Sequence, residues 1–495
     1  MKDDNRVVVI GSGPPGATAA VFLRRAGVEV LLLEAGSERS ALGLTLRLRG
    51  LTVAKHRGQL KQRVGVARTG DPEAQLFEQL SPGGLSNHWS CAVPRFSPED
   101  FADAARAGEQ HVWPVGYEEL APWYTRVEPL LHVAGPTVDD PQLPAGNVRH
   151  PWTLAADWQS LVDDAHRGGR AVVPMPYAYG GDTSLTLSGT AFNSFVRLVK
   201  PAMRAGGLAV RFGARVQRLE WDVQTRSVTA VVFRDAASGT EERVRCRAVV
   251  LAAGAINSPQ VLLQSKSADF PDGLGNGHGV VGRYLHDHPI GKLVLDLESP
   301  ISVHPPTYIT RLAVDRSPPL YAAAGMQWSG ASIVAKSLLK RPPGRLPWTG
   351  FSVFGTMAPT EQNRISLDPS QVSADGTPGI ALHIHHPPES QRVLEEARDQ
   401  IVELLSRGGF QPHVRVWKIE AAGNANHYAG TCRMHASPKF GVLDAWSRIH
   451  GVPNVVVADS SAFTTGPEKN PVLTSMTLAA RASDRLAGEL TSGDL

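Results

Sequence analysis

The alternation of apolar runs and glycines at the start of the chain predicts a strand, a turn and a helix. Residues 7–10 are continuously apolar, which is typical of a strand buried on both faces in a parallel sheet. Gly-Ser-Gly-Pro-Pro-Gly follows at residues 11–16, and then an alanine-rich stretch that favours a helix. A second apolar run, residues 28–33, ends at Glu34. The whole series is the pattern of a dinucleotide-binding βαβ unit.

The glycines and the acid of this unit have separate predicted roles. Gly11 permits the tight turn, Gly13 lets the backbone approach a pyrophosphate, and Gly16 lets the helix pack on the strand. The helix N-terminus tolerates proline and offers free N–H groups and a positive dipole end to phosphates. Glu34 lies 18 residues after Gly16, near the spacing for an acid that binds a ribose hydroxyl. The predicted cofactor contacts here are Gly11, Gly13, Pro15, Gly16, Glu34 and Ala35.

Further elements follow from hydrophobic periodicity along the rest of the chain. Residues 245–251 predict a strand that leads through Gly254 to a helix at 260–264, and residues 455–459 predict another strand before a helix at 471–480. Alternation at 363–367 and 380–385 predicts half-buried strands. Residues 389–405 predict an amphipathic helix, and the Pro- and Gly-rich stretch 341–350 predicts a loop.

Composition and charge narrow the class of protein. A chain of 495 residues is long enough for two domains with large cores. The net charge of +3 is too small to predict binding to nucleic acid or to an anionic membrane. We find no signal-peptide pattern and no apolar stretch that would span a bilayer, and the three cysteines match neither a disulfide framework nor a metal site. We therefore expect a cytoplasmic protein.

Ordered motifs recur along almost the whole chain. After the nucleotide motif come the double glycine Gly83-Gly84, Trp113-Pro114, Ala253-Gly254-Ala255-Ile256-Asn257-Ser258-Pro259, Val281-Gly282-Arg283, Asp287-His288-Pro289, His427-x-x-Gly430-Thr431 and Asn470-Pro471. This series resembles the glucose–methanol–choline (GMC) oxidoreductases. One departure is Ser265-Lys266, where the family's second signature usually ends in Ser-Gly.

The resemblance implies a fold and a chemistry. The expected fold is an α/β FAD-binding Rossmann-type domain, discontinuous over residues 1–98, 205–290 and 425–495. An α+β substrate-binding domain with an antiparallel sheet, together with connecting segments, would occupy residues 99–204 and 291–424. FAD would accept hydride from a CH–OH group of a small alcohol or sugar, and oxygen or another acceptor would reoxidise it. The resemblance adds these cofactor contacts: Gly84, Ser86, Asn87, His88, Val216, Ala253, Gly254, Asp459, Pro471 and Val472.

Two residues match the family's catalytic positions. His427 would be the base, since a neutral imidazole is well matched to a hydroxyl proton near neutral pH. The alternative is a buried histidine satisfied by the backbone. Asn470 would donate a hydrogen bond to the substrate oxygen and orient it. The alternative is a helix N-cap, because Asn followed by Pro is also a good N-cap and N1 pair.

Other histidines allow more than one interpretation. His88 has the offset of the flavin-linked histidine in some relatives, and residues 88–96 resemble pyranose oxidases, so FAD would be either covalently attached there or held beside a non-covalent pocket wall. That segment favours a sugar, glycoside or related polyol as substrate. His383, His385 and His386 form a cluster, with His383 and His385 on one face of a strand, but no carboxylate completes a ligand set and we expect no metal.

Three other functions are compatible with the same sequence. The first is an acceptor-dependent dehydrogenase that acts on a non-sugar alcohol. The second is a non-redox enzyme resembling the hydroxynitrile lyases of this family. The third is a binding protein with a vestigial nucleotide fold, which the presence of both His427 and Asn470 opposes.

Overall fold

The computed structural model of the chain describes residues 6–37, 61–137, 139–179, 192–303, 305–315, 321–328, 347–372 and 376–495. The loop predicted at 341–350 lies mostly outside the described residues. Its last residues belong to the strand Trp348–Gly355, so the loop prediction is wrong there.

A five-stranded parallel sheet, here called the nucleotide sheet, forms the centre of the first part of the fold. Its strand order is Val455–Val457, Ala248–Leu251, Val7–Ile10, Val30–Glu34 and Leu208–Phe212. Val7–Ile10 lies in the middle and is buried throughout, as its apolar sequence predicts. The helices Pro14–Arg25 and Val472–Ser492 pack against each other in the same core. The predicted Rossmann-type α/β architecture is confirmed.

A six-stranded antiparallel sheet forms the second part. Its strand order is Pro412–Ile419, Ile290–Leu297, Trp348–Gly355, Tyr321–Trp328, Thr307–Asp315 and Val172–Pro174. The helix Pro388–Arg407 packs against it and buries the apolar stripe that its sequence predicts, Val393, Ala397, Ile401 and Leu404. The predicted antiparallel sheet and its amphipathic helix are therefore confirmed.

Smaller sheets complete the fold. One contains Ala214–Asp222, Ser227–Asp235 and Glu241–Arg245, and another contains Arg364–Val372, Pro378–His383 and Val66–Arg68. Two-stranded pairings join Lys61–Gln62 to Phe77–Glu78 and Ala134–Gly135 to His150–Pro151. The single strand predicted at 245–251 is wrong: the chain turns after Arg245, and each half joins a different sheet. His385 lies beyond the strand that ends at His383, so the two histidines do not share a strand.

The remaining helices are short or connect the sheets. They are Pro98–Ala102, Tyr117–Leu131, Ala156–Arg167, Lys200–Arg204 and Gly254–Gln264, with 3₁₀ turns at Gly84–Asn87, Asp103–Ala107, Glu109–His111 and Ser460–Ala462 and a π-helical turn at Phe195–Val199. The helix predicted at 260–264 begins earlier, at Gly254, and accommodates Pro259 in its first turns.

The two main sheets follow the segments predicted for the two domains. All strands of the nucleotide sheet lie within 1–98, 205–290 and 425–495. The helix Tyr117–Leu131, which the prediction placed among the substrate-binding and connecting segments, packs into the core of the nucleotide sheet through Leu120, Tyr124 and Val127. The domain boundaries stay a prediction. Among the described residues, no helix is both long and apolar enough to cross a membrane.

Candidate active site

A cavity of about 480 Å³ runs between the nucleotide sheet and the antiparallel sheet. Of the predicted site residues, all but Gly16 and Asn87 line it. The glycine turn and Glu34 mark its nucleotide end. His427, Asn470 and the antiparallel strands mark its other end, here called the substrate end. A cleft of this size is typical of a small-molecule or cofactor site.

The glycine turn is fixed by close backbone contacts. Gly11 has φ +97°, and a Cβ there would lie 2.5 Å from the carbonyl oxygen of Ala252. A Cβ on Gly16 would lie 2.2 Å from the carbonyl oxygen of Gly11. Gly13 lines the cavity, and a Cβ there would meet no atom within 4 Å, so its missing side chain leaves room for a ligand. These contacts explain why a side chain is excluded at Gly11 and Gly16, and the contact of the three glycines with a cofactor stays a prediction.

Glu34 ties the second strand to two loops. Its Oε2 accepts hydrogen bonds from the backbone N–H and hydroxyl of Ser12, and its Oε1 accepts one from the Gly36 N–H at 2.7 Å. The Ser12 hydroxyl oxygen in turn accepts the Gly83 N–H at 2.9 Å. Burial raises the pKa of the Glu34 carboxyl, and these hydrogen bonds oppose the rise. The acid thus reaches the cavity wall while holding the turn in place.

The segment after Gly83 forms a turn that lines the cavity. Asn87 does not face the cavity: its Nδ2 donates to the Gly84 carbonyl at 2.7 Å and so stabilises the turn. His88 lines the cavity, with its Nε2 3.0 Å from Oε1 of Gln79. A covalent bond between His88 and FAD stays a prediction.

Asp459 joins two segments at the wall of the cavity. Its Oδ2 accepts the Gly254 N–H at 2.9 Å and the Ser258 hydroxyl at 2.6 Å, and its Oδ1 accepts the Ser461 N–H at 2.8 Å. Burial raises the pKa of this carboxyl, and the hydrogen bonds oppose that rise. Asp459 therefore fixes the start of the helix Gly254–Gln264 relative to the end of the strand Val455–Val457.

His427 is held by its backbone and by both ring nitrogens. The backbone N–H of His427 donates to Oδ1 of Asp287 at 2.7 Å. Its Nδ1 lies 3.3 Å from Nδ1 of His288, and its Nε2 lies 3.4 Å from Nδ2 of Asn470. The ring packs beside Phe354, with 5.3 Å between the ring centroids. Burial lowers the pKa of His427 to about 4, so the imidazole is neutral at neutral pH.

The contact with Asn470 indicates which nitrogen of His427 carries the proton. An amide nitrogen only donates, so His427 Nε2, 3.4 Å from Asn470 Nδ2, is the acceptor in that contact. A neutral imidazole then has its proton on Nδ1, which donates to Nδ1 of His288 at 3.3 Å. The lone pair of His427 Nε2 therefore lies on the side of Asn470.

Asn470 faces the cavity and does not cap the helix. The helix begins at Val472 with Pro471 as its N-cap residue, and no side chain makes a capping hydrogen bond. Asn470 is 4% exposed, and its Oδ1 is buried without a partner among the described residues. Next to it, fully buried Lys469 donates to both oxygens of Asp100, at 2.9 and 2.7 Å. That ion pair anchors the segment that carries Asn470.

The comparison with known proteins decides the family. Family models described as "GMC oxidoreductase" match residues 107–290 and 359–479, and a model described as "FAD binding domain" matches residues 4–80. The chain is 30% identical to paromamine 6'-oxidase of Streptomyces fradiae, over 99% of this chain and 93% of that protein. The chain belongs to the GMC oxidoreductase family.

Other relatives agree with this family. The chain is 27% identical to 2-methyl-1,2-propanediol dehydrogenase of Mycolicibacterium austroafricanum, over 98% of this chain and 95% of that protein. Its fold is similar to that of pyridoxine 4-oxidase from Mesorbium loti, with a TM-score of 0.67 and 17% identity over 97% of this chain and 99% of that one. The chain is therefore an FAD-dependent oxidoreductase of the class that acts on CH–OH donors.

The cavity of this GMC oxidoreductase fits FAD. The open space at Gly13 would accept the pyrophosphate, with the N-terminus of Pro14–Arg25 beside it. Gly254 likewise lines the cavity with φ +85° and no atom within 4 Å of a built Cβ. The unpartnered Oδ1 of Asn470 marks the other end as a place where a ligand atom is needed.

Several residues of the site were not predicted as such. Asp287 and His288 appeared only as part of a family motif, and their contacts with His427 depend on the fold rather than on spacing. Lys469 carried no signal beyond a charge beside Asn470. Among the residues that the structure describes, no group of three or more His, Cys, Asp or Glu is placed to hold a metal ion.

Proposed function

We propose that the enzyme oxidises a CH–OH group of a sugar, glycoside or related polyol to a carbonyl, with His427 as the base and Asn470 as the group that positions the substrate oxygen. The observation that carries this proposal is the pair of side chains at the substrate end. His427 Nε2 and Asn470 Nδ2 lie 3.4 Å apart on the wall of one cavity. A base and a hydrogen-bond donor are thus side by side.

FAD, when bound, would supply the acceptor for the hydride that leaves the substrate carbon. As the C–H bond breaks, His427 Nε2 takes the hydroxyl proton and the C–O bond becomes a carbonyl. His288 supports this step, because its Nδ1 accepts the proton that His427 keeps on its own Nδ1. Burial lowers the pKa of His427 to about 4, so the imidazole is neutral at neutral pH and its Nε2 can accept the proton.

Asn470 Nδ2 has two N–H bonds and is directed towards His427 Nε2. A substrate oxygen that contacts both nitrogens from the cavity would accept one of these N–H bonds, which favours the alkoxide character that develops as the proton leaves. The first turn of the helix Val472–Ser492 also lines the cavity, and its positive dipole end stabilises negative charge there.

The proposed substrate class is inferred from the side chains that line the cavity and from the resemblance to known proteins. Hydroxyl and amide side chains line the substrate end, including Ser90, Ser352, Asn424 and Asn426, and such groups suit a ligand with several hydroxyls. The similarity of the His88 segment to pyranose oxidases favours a sugar. The names of the two relatives, a paromamine oxidase and a diol dehydrogenase, are compatible with a polyol. The acceptor that reoxidises the flavin stays open between oxygen and another compound.

An anaerobic screen tests this proposal. Purified protein is mixed with sugars, glycosides, diols and simple alcohols without oxygen, and the visible absorbance of the flavin is followed. We expect bleaching by at least one sugar, glycoside or polyol. Admission of oxygen to the bleached sample then separates an oxidase from a dehydrogenase by the rate at which the colour returns.

Two results would contradict the proposal. Bleaching by simple alcohols alone would replace the substrate class with a non-sugar alcohol. Absence of bleaching by every hydroxyl compound, with cleavage of a cyanohydrin instead, would assign the site to a non-redox lyase.

A further inference from the structure

One cation at the substrate end has no role in the reaction described above. Lys292 lies on the strand Ile290–Leu297, lines the cavity and has an exposed side chain. Within the described part of the chain, no hydrogen bond or ion pair involves its ammonium group. A free charge in a substrate cavity selects among ligands by their charge.

The register of the antiparallel sheet places Lys292 near the reacting groups. Ile290 pairs with Phe354, whose ring lies beside that of His427. Two residues further along the same strand, Lys292 pairs with Ser352. Residues two apart on a strand point to the same face and are about 7 Å apart. Lys292 therefore lies on the cavity face of the sheet, two residues beyond the pair that contacts the base.

The lysine on the neighbouring strand provides a contrast. Lys418 pairs with Lys292 across the sheet, on the same face. Its ammonium group lies 2.7 Å from Oε2 of Glu420, an oxygen that also accepts from Asn424 at 3.4 Å. The nearby acid is thus already engaged by Lys418, and Lys418 does not line the cavity. Of two adjacent lysines, the one without a carboxylate partner faces the substrate.

The acids that line the cavity do not neutralise Lys292. Glu34 is bound to Ser12 and Gly36 at the nucleotide end. Asp459 holds the start of the helix Gly254–Gln264, and Glu78 forms an ion pair with Arg63 at 3.2 Å. The described wall of the substrate end therefore combines hydroxyls, amides and one positive charge.

We propose that Lys292 is a specificity residue that selects hydroxyl substrates bearing an anionic group, such as the carboxylate of a uronic acid, over neutral or amine-bearing counterparts. The charged group would bind Lys292 while a hydroxyl of the same molecule lies at His427. This inference rests on the proposed function for the reaction, but it makes a separate claim about binding. An exposed ion pair adds little, whereas a charge-assisted hydrogen bond inside a cavity adds more.

The test compares three matched compounds: a methyl hexoside, its uronic acid counterpart and its amino counterpart. For the wild-type enzyme we expect kcat/KM for flavin reduction to be about tenfold higher with the uronide than with the neutral glycoside, and lowest with the amine. Raising the salt concentration should narrow this preference. Lys292→Met keeps the apolar stem and should make the uronide and the neutral glycoside equal. Lys292→Glu should reverse the order in favour of the amine.

Lys266→Met is the control, because it removes the same charge from an exposed position outside the cavity and leaves Glu420 engaged by Lys418. A second readout is the dissociation constant, by calorimetry, of the uronide and of the neutral glycoside with FAD-loaded protein. If uronide and neutral glycoside bind and react equally in wild type, or if Lys292→Met leaves a preference unchanged, the inference is wrong. If no hydroxyl compound bleaches the flavin, the proposed reaction fails, and the dissociation constants alone then decide whether Lys292 selects anions.

Discussion

The nucleotide end and the substrate end of the cavity are built in different ways. At the nucleotide end, the glycine turn and Glu34 lie within the first 34 residues, and backbone contacts such as Gly16 against Gly11 set the geometry. At the substrate end, Asp287, Lys292, His427 and Asn470 come from three separate segments of the chain. Side-chain hydrogen bonds and sheet register bring them together.

This difference has a consequence for how each end responds to mutation. A change in the glycine turn displaces backbone, since the atoms that a Cβ would meet are carbonyl oxygens. At the substrate end, replacement of His427 or Asn470 removes a side chain whose hydrogen-bond partner is another side chain, and leaves the surrounding backbone in place. The first kind of change should therefore abolish cofactor binding, and the second should alter rate or specificity with FAD still bound.

The largest expected effect is that of Gly16→Ala. The added Cβ would lie 2.2 Å from the Gly11 carbonyl oxygen, so the turn that faces the pyrophosphate must move. We expect purified protein with little or no flavin and a lower melting temperature, as overpacking typically costs about 1–3 kcal/mol. Gly277→Ala is the control, because a Cβ there meets no atom within 4 Å. Full FAD content in Gly16→Ala would show that this turn does not control cofactor binding.

The same difference explains what could be predicted from the sequence. The nucleotide unit was predicted because its residues are close in sequence and each glycine answers a local steric need, as at Gly11 and Gly16. The amphipathic helix Pro388–Arg407 was predicted because one helical period places Val393, Ala397 and Ile401 on one face. Patterns of this kind can be interpreted from the sequence because the residues that interact are neighbours along the chain.

The parts that could not be predicted depend on contacts between distant segments. No spacing indicates that His288 would lie 3.3 Å from His427, 139 residues later. The same holds for the pair Lys469 and Asp100. The break after Arg245 was missed because a local sequence pattern does not show where a chain leaves one sheet for another. The capping alternative for Asn470 needed the observed start of the helix at Val472.

His427→Ala has the next largest expected effect. Loss of general-base help should lower the anaerobic rate of flavin reduction by about 10²- to 10⁴-fold with FAD still bound. His278→Ala, at an exposed position outside the cavity, is the control. Stopped-flow absorbance gives the rate, and the visible spectrum confirms the FAD content. A normal rate in His427→Ala would remove this residue from the mechanism.

Asn470→Ala should have a smaller effect, since the base stays in place. Loss of one hydrogen bond and of orientation should slow reduction by about tenfold. The reduction rate is the readout that should change, because Asn470 makes no capping hydrogen bond and its amide lies beside His427. An unchanged rate combined with a loss of about 1 kcal/mol of stability would instead indicate a helix N-cap.

The pH dependence of flavin reduction tests most directly that neutral His427 is the base. Burial lowers its pKa to about 4, so the base stays unprotonated until the solution becomes strongly acidic. Titration of His427 should therefore leave the anaerobic reduction rate of the wild-type enzyme almost unchanged between about pH 8 and about pH 5. The rate should then fall as the pH drops through about 4, because His427 becomes protonated. Burial raises the pKa of Asp287 to about 7. An inflection of the rate profile near that pH would belong to Asp287, and it should persist in His427→Ala.

We predict that the fall near pH 4 is present in the wild-type enzyme and absent in His427→Ala, measured in the same stopped-flow pH-jump series. The same acid limb in both proteins would contradict the account, because the group that must lose its proton would then not be His427.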